Sequence, residues 1–267
     1  MIKMDMPRLL DERGYKPLKV QEKAVASAAL SSLTVLGESS VRALLYHMAA
    51  LAAMQERELL SNYKEFEKAL WSALGSGADI ILKRFDEELA KNVQATDMGP
   101  NEVLDAMKRD QPYVFMRNIS AGEHVLVLYR STQFRDRMLG AFFDSTTAQG
   151  GGGRQAKGAI LSEPASLAFA QSITWRDLQE KKKAGGTSLD EKVSEWTSTL
   201  GGGKLRLARD STWLLENNIE ETAAAKFKDA ALVCACDLRV GIERAAKAME
   251  SHNYVVLEDS KIVYARD

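Results

Sequence analysis

Cysteine and histidine are the scarcest chemistry-bearing residues of this chain, with two and three copies in 267 residues. That scarcity excludes a disulfide framework, and no cysteine and histidine lie at metal-ligand spacing, so no zinc site is expected. Cys234 and Cys236 stand two apart in one apolar run. They would share a strand face, where a bridge distorts the backbone, so they read as small core residues. Long apolar runs are missing too: no stretch approaches the ~20 residues that a bilayer span requires. The opening Met1-Ile2-Lys3-Met4-Asp5-Met6-Pro7 has no signal-peptide core, and a cytoplasmic protein is expected. Excess charge of either sign is absent, with 36 Lys and Arg against 37 Asp and Glu. Such balance gives no global drive toward nucleic acid or anionic membranes, and neither is expected as a partner. No G-x-x-x-x-G-K-[ST], G-x-S-x-G, H-E-x-x-H or C-x-x-C occurs, so the residues propose no catalytic set, no metal and no cofactor.

What is present has two grammars. Hydrophobic residues at 45% and charged residues at 27% are ordinary for a globular chain. From about Lys16 to Val93 the period is helical. Leu18 to Leu36 is rich in Ala and Leu, and Gly37 is placed to close it. Val41, Leu44, Leu45, Met48, Leu51 and Ala52 form one apolar stripe, with His47 at its edge as a structural residue. Asn62 with Glu65 is a capping arrangement ahead of Phe66, Ala69, Leu70, Ala73 and Leu74. Gly75-Ser76-Gly77 breaks that helix, and Ser76 and Asp79 restart another carrying Ile81, Leu82, Phe85 and Leu89. Four such helices predict a small all-α helical bundle over residues 1–95. Asp97, Gly99, Pro100, Asn101 and Pro112 mark a linker over 96–112, with room for a short helix from Glu102 to Lys108.

Residues 113–267 change period. His124-Val125-Leu126-Val127-Leu128-Tyr129 predicts a strand, followed by Ser131 and Thr132 as N-cap choices and a helix bearing Phe134, Met138, Leu139, Phe142 and Phe143. Gly158-Ala159-Ile160-Leu161 predicts a second strand, and Ser162-Glu163-Pro164 has helix-start chemistry. A strand, helix, strand and helix with short joints imply a parallel sheet. Between the two strands lies Gly150-Gly151-Gly152-Gly153-Arg154-Gln155-Ala156-Lys157-Gly158. It follows a helix and opens a strand, the reverse of a phosphate loop, so it reads as a surface turn. Lys181-Lys182-Lys183 reads as a solvated loop, and Ser188-x-x-Glu191 as a capping box for a helix ending at Gly201. Lys204 to Ala208 predicts a further strand, and Trp213-Leu214-Leu215 with Ile219 to Lys228 leads onward from it. The densest apolar run, Ala231-Leu232-Val233-Cys234-Ala235-Cys236-Asp237, suits a strand buried on both faces and ending in a carboxylate. Gly241 to Ser251 reads as helix, and Tyr254-Val255-Val256-Leu257 with Ile262-Val263-Tyr264 as a closing hairpin.

Gly122 to Tyr264 resembles the MEDS family of prokaryotic sensory domains. The likeness rests on Gly122-Glu123-His124-Val125-Leu126-Val127-Leu128-Tyr129, Trp213-Leu214-Leu215-Glu216-Asn217, and Leu232-Val233-Cys234-Ala235-Cys236-Asp237-Leu238 followed by Met249-Glu250-Ser251-His252 and the hairpin. The resemblance implies a degenerate RecA/KaiC-like fold that senses a small molecule or another signal. It departs from the family at Cys236, where a Tyr is more usual. His124 and His252 fall where the family tends to carry His. The helical half is similar to a small helical domain of archaeal regulatory proteins.

The expected architecture is therefore α/β: a three-layer, mostly parallel sheet of RecA/KaiC-like type without a Walker A loop, preceded by the helical bundle. The sheet's carboxyl edge would gather Tyr129, Arg130, Ser131, Thr132, Ser162, Glu163 and Asp237, with Arg130 and a helix N-terminus suited to an anion. With His124 and His252, these residues other than Ser162 are the candidate ligand-binding residues. The expected function is non-enzymatic sensing of an unidentified small molecule or regulatory protein, with the helices mediating homo-oligomer or partner contacts. The alternatives are a nucleotide-dependent enzyme using Arg130, Glu163 and Asp237, and a DNA-associated regulator.

Overall fold

The computed structural model describes residues 6–95, 97–144, 156–161, 171–174, 205–212 and 230–266. Among them, contacts divide the chain into two units. One runs from Lys19 to Asn118; the other joins the residues up to Leu18 with those from Ile119 onward.

The second unit is mixed α/β and carries an eight-stranded sheet. Its elements are α1 (Met6–Glu12), β1 (Tyr15–Pro17), β2 (His124–Tyr129), α9 (Thr132–Phe143), β3 (Ala156–Leu161), β4 (Gln171–Thr174), β5 (Leu205–Asp210), β6 (Ala231–Asp237), α10 (Ile242–Met249), β7 (Tyr254–Leu257) and β8 (Ile262–Arg266). The strand order is β1-β8-β7-β2-β6-β5-β3-β4. Strands β7, β2, β6, β5, β3 and β4 run parallel, while β8 is antiparallel to β7 and to β1. The expectation of a mostly parallel sheet therefore holds. Position in the sheet explains the composition of β2 and β6. All seven residues of β6 are buried, as a central parallel strand covered on both sides requires. Its register against β2 sets His124 beside Leu232 and Tyr129 beside Asp237.

Side chains alternate across this sheet. Leu126, Leu128, Leu232, Cys234, Cys236, Val255 and Leu257 share one apolar cluster with Leu9 and Leu10 of α1 and with Ala245 and Met249 of α10. Both cysteines are fully buried in that cluster, and no disulfide joins them. α9 packs against β2, with the rings of Phe142 and Phe143 5.0 Å apart.

The N-terminal residues were expected to belong with the helices and instead complete the sheet. Gly14, at φ +78°, turns α1 into β1, which pairs Tyr15 with Arg266 and Pro17 with Tyr264. Tyr15 is buried, and its hydroxyl meets the carbonyls of Met249 at 2.6 Å and His252 at 2.7 Å. A three-residue strand is too short to register as a period, which is why the sequence pattern passes over it.

The unit from Lys19 to Asn118 is built of helices: α2 (Val20–Leu33), α3 (Glu38–Ala52), α4 (Glu56–Ser61), α5 (Tyr63–Leu74), α6 (Ala78–Lys91), α7 (Pro100–Arg109) and α8 (Gln111–Arg117). α2 touches α4, α6, α7 and α8, and buries Val20, Ala24, Val25, Ala28, Ala29 and Leu33. Gly37 ends the first helical stretch at φ +82°, and the Asn62 side chain accepts the Glu65 N–H at 3.4 Å, as expected of both. The α3 stripe buries Val41, Leu45, Met48 and Ala49, whereas Leu51 is 51% exposed. The expected linker over 96–112 holds α7 and the start of α8. Gly99 and Pro100, read there as breakers, open a helix: Pro100 sits in the first turn, and the Glu102 carboxylate accepts the Gly99 N–H at 3.2 Å.

No helix among the described residues is long and apolar enough to cross a membrane. The glycine run before Ala156, the helix start at Ser162-Glu163-Pro164, the Lys181–Lys183 loop, the Ser188 capping box and the Trp213-to-Lys228 segment lie outside the described residues.

Candidate functional site at the carboxyl edge

Adjacent strands β5, β6, β2 and β7 end at one rim, because they are parallel and in register. Asp210 closes β5, Asp237 closes β6, Tyr129 closes β2, and Glu258 follows β7. In open α/β sheets this rim is where ligands bind.

Its innermost group is Asp210, which is 1% exposed. Oδ2 accepts the Tyr129 hydroxyl at 3.3 Å and the Arg135 Nη1 at 3.3 Å; Oδ1 accepts the Thr212 N–H at 3.0 Å. The Arg135 guanidinium also lies over the Tyr129 ring, 5.7 Å from its centroid, and binds Asp136 at 2.8 Å. The Thr212 hydroxyl accepts the Asp237 N–H at 3.0 Å, tying β5 to β6. Burial, then the charge of Asp210, pushes the Tyr129 phenol up to about 12, so it remains a neutral donor.

The β2–α9 junction has the form of an anion site, and the protein fills it with its own anion. The Glu258 carboxylate accepts the N–H groups of Arg130 and Ser131 and the Ser131 hydroxyl, the last at 2.6 Å. The Arg130 guanidinium binds the neighbouring Asp259 at 3.2 Å. Ser131 also caps α9 by accepting the Phe134 N–H at 3.2 Å. Burial alone would raise the Glu258 carboxyl, but these donors and the Arg130 charge hold it below its ordinary 4.5.

Asp237 is held in a similar way. Its carboxylate accepts the Arg239 N–H at 2.8 Å and Nε at 2.7 Å, capping the short turn Leu238–Val240. Partial burial opposes its ionisation, but the Arg239 hydrogen bonds and charge outweigh it and lower the carboxyl.

The structure thus brings Tyr129, Arg130, Ser131 and Asp237 to one rim, with Thr132 exposed at the start of α9. Glu163 lies outside the described residues. His124 and His252 are at the opposite, amino edge. His124 opens β2, and its carbonyl accepts the Asn253 N–H at 3.1 Å. His252 is 2% exposed, and its Nδ1 donates to the Ala248 carbonyl at 2.7 Å. Sequence reading missed Asp210, Arg135, Thr212, Arg239, Glu258 and Asp259. The available signal was Arg209-Asp210-Ser211 at the end of a predicted strand, and Glu258-Asp259 in the hairpin turn.

Chemically, the rim is an internally neutralising network. Arg130, Arg135 and Arg239 face Asp136, Asp210, Asp237, Glu258 and Asp259. Acidic groups exceed basic ones here, and an external anion would have to displace Glu258 to reach the junction amides. Compared with known proteins, the chain matches no family model and no curated protein.

Proposed function

We propose that this chain is a non-enzymatic sensory or regulatory protein, with a MEDS-like α/β unit that receives a signal and a helical unit that mediates oligomer or partner contacts. RecA-like layering of the sheet is part of the proposal. It is supported by six parallel strands with Asp210, Asp237 and Tyr129 at the carboxyl ends of adjacent central ones. The observation that carries the reading is Glu258, whose carboxylate takes the junction N–H groups that a nucleotide-hydrolysing relative would offer to phosphate. A signal acts on such a protein by favouring one of two arrangements, and binding then raises stability without turnover.

The decisive measurement is thermal stability and phosphate release with ATP or GTP plus magnesium, in wild type and Asp237→Ala. No stabilisation and no released phosphate are expected in either. Tight magnesium-dependent binding that Asp237→Ala abolishes would establish the nucleotide-dependent alternative instead.

A further inference from the structure

We propose that Asp86 of α6 and Glu67 of α5 form an acid-closed clasp, a pH-sensitive switch in which one proton on this carboxyl pair tightens the contact between the two helices. The clasp lies within the helical unit and does not depend on the reading given to the sheet edge.

An aromatic contact sets its position. Phe85 is fully buried, its ring stacked on Tyr63 with centroids 5.4 Å apart and tilted against Phe66 at 5.7 Å. Asp86 follows Phe85 in sequence and Glu67 follows Phe66, so both acids are carried beside that contact. Glu67 also stands one helical turn from Tyr63, on the same flank of α5. Close packing of the rings fixes where the two backbones present these carboxyls.

What the pair lacks is a partner of opposite sign. Asp86 Oδ1 is buried and meets no hydrogen-bond donor among the described residues. Helices α2, α5 and α7 pack against α6. From α5, Glu67 and Tyr63 face Asp86; among the described residues no other charge of α5 or α6, and none of α2 or α7, acts on it. Neighbouring cations are engaged elsewhere. Lys23 of α2 lies over the Phe115 ring, Lys91 of α6 binds Glu88 at 2.6 Å, and Lys108 of α7 binds Asp105 at 3.0 Å.

A carboxylate drawn from water beside a second one, with no cation to offset either, keeps its proton to higher pH. Burial first, and the charge of Glu67 second, raise the Asp86 carboxyl above its ordinary 3.8. Burial, then the charges of Glu67 and Asp86, push the Tyr63 phenol up to about 12, so it stays neutral. The folded state thus binds the Asp86 proton more tightly than the unfolded chain does. The contact gains stability as pH falls through the native midpoint, holds all of it below 3.8, and lacks it at neutral pH. Glu258 and Asp237 shift the other way. Acid therefore tightens the helical unit while it loosens the carboxyl edge of the sheet, and one change of pH drives the two units in opposite directions.

The test titrates the full-length chain, isotopically labelled at its aspartate carboxyls, by nuclear magnetic resonance, with Asp86→Asn identifying the signal. The Asp86 midpoint is expected above 3.8 and should fall when Glu67→Gln removes the neighbouring charge. Hydrogen exchange supplies a second readout. Protection of the α5 and α6 amides should rise on acidification by about tenfold for each pH unit by which the midpoint exceeds 3.8. Asp86→Asn should reach that protection already at neutral pH. A midpoint at or below 3.8, a midpoint indifferent to Glu67→Gln, or protection that does not rise in acid would each overturn the clasp. Should either variant fail to fold, the pH dependence of wild-type protection decides the matter.

Discussion

Glu258 joins two strand ends and a helix start with one carboxylate, because it follows β7 and accepts from the peptide that leaves β2 and from Ser131, the N-cap of α9. Hydrogen bonds to a charged acceptor are stronger than neutral ones, and an amide in the same place is uncharged and keeps only one acceptor oxygen, its NH2 standing where the other was. Glu258→Gln is therefore expected to lower stability by about 1–2 kcal/mol at neutral pH, measured by urea unfolding. The pH dependence has a fixed sign. The native carboxyl is held below the ordinary 4.5, so its contribution is complete above that value and fades as pH falls through the lower native value. The curves of wild type and variant should converge on acidification, and a gap that stays constant would contradict the role given to the charge. Asp237 shifts in the same direction, so the wild type itself should weaken in acid.

At the scale of elements, β5 shows how a buried strand can disguise itself. Leu205-Arg206-Leu207-Ala208-Arg209-Asp210 carries three charged residues in six, a composition that suits an exposed edge strand, yet it is flanked by β3 and β6, and Arg206, Arg209 and Asp210 are all buried. Each charge is answered locally. Arg206 donates to the carbonyls of Phe142 and Ile119 and stacks 4.7 Å from the Phe142 centroid, and burial lowers its pKa to about 10. Arg209 Nε donates to the Cys234 sulfur at 3.0 Å. Removing one partner of such a set costs far more than removing a neutral donor. Asp210→Ala should destabilise the sheet unit by about 3 kcal/mol, and Tyr129→Phe by about 1 kcal/mol; equal losses in thermal denaturation would refute the ranking. The same strand marks the limit of what sequence can disclose. β2 and β6 were legible because central burial leaves an unbroken apolar run, and α3, α5 and α6 because their stripes follow the helical period. The rim was only half legible: Tyr129, Ser131 and Asp237 end or follow such runs, whereas Asp210 and Glu258 are recruited by partners 81 and 127 residues away. No local pattern records a contact made by tertiary folding.

The whole molecule divides along lines that a linear reading misplaces, since the helical unit is continuous from Lys19 to Asn118 and the sheet unit is not. A fragment of residues 19–118 is expected to be helical by circular dichroism. A chain lacking residues 1–18 should lose stability in its sheet, because Leu9, Leu10 and Tyr15 leave the core and β8 gains an open edge. Unchanged denaturation of that truncated chain would contradict this placement of β1.

The pairing of Tyr15 with Arg266 also imposes a timetable on synthesis. About 250 residues separate the two, so at roughly 5–20 residues per second the early strand emerges some 13–50 s before the neighbour it must join. In that interval the nascent helices have everything they need to pack, while Tyr15 waits. The sheet can seal its margin only once β8 has been made, so the nascent chain, and not the folded protein, is the stage at which a chaperone would find the most to hold.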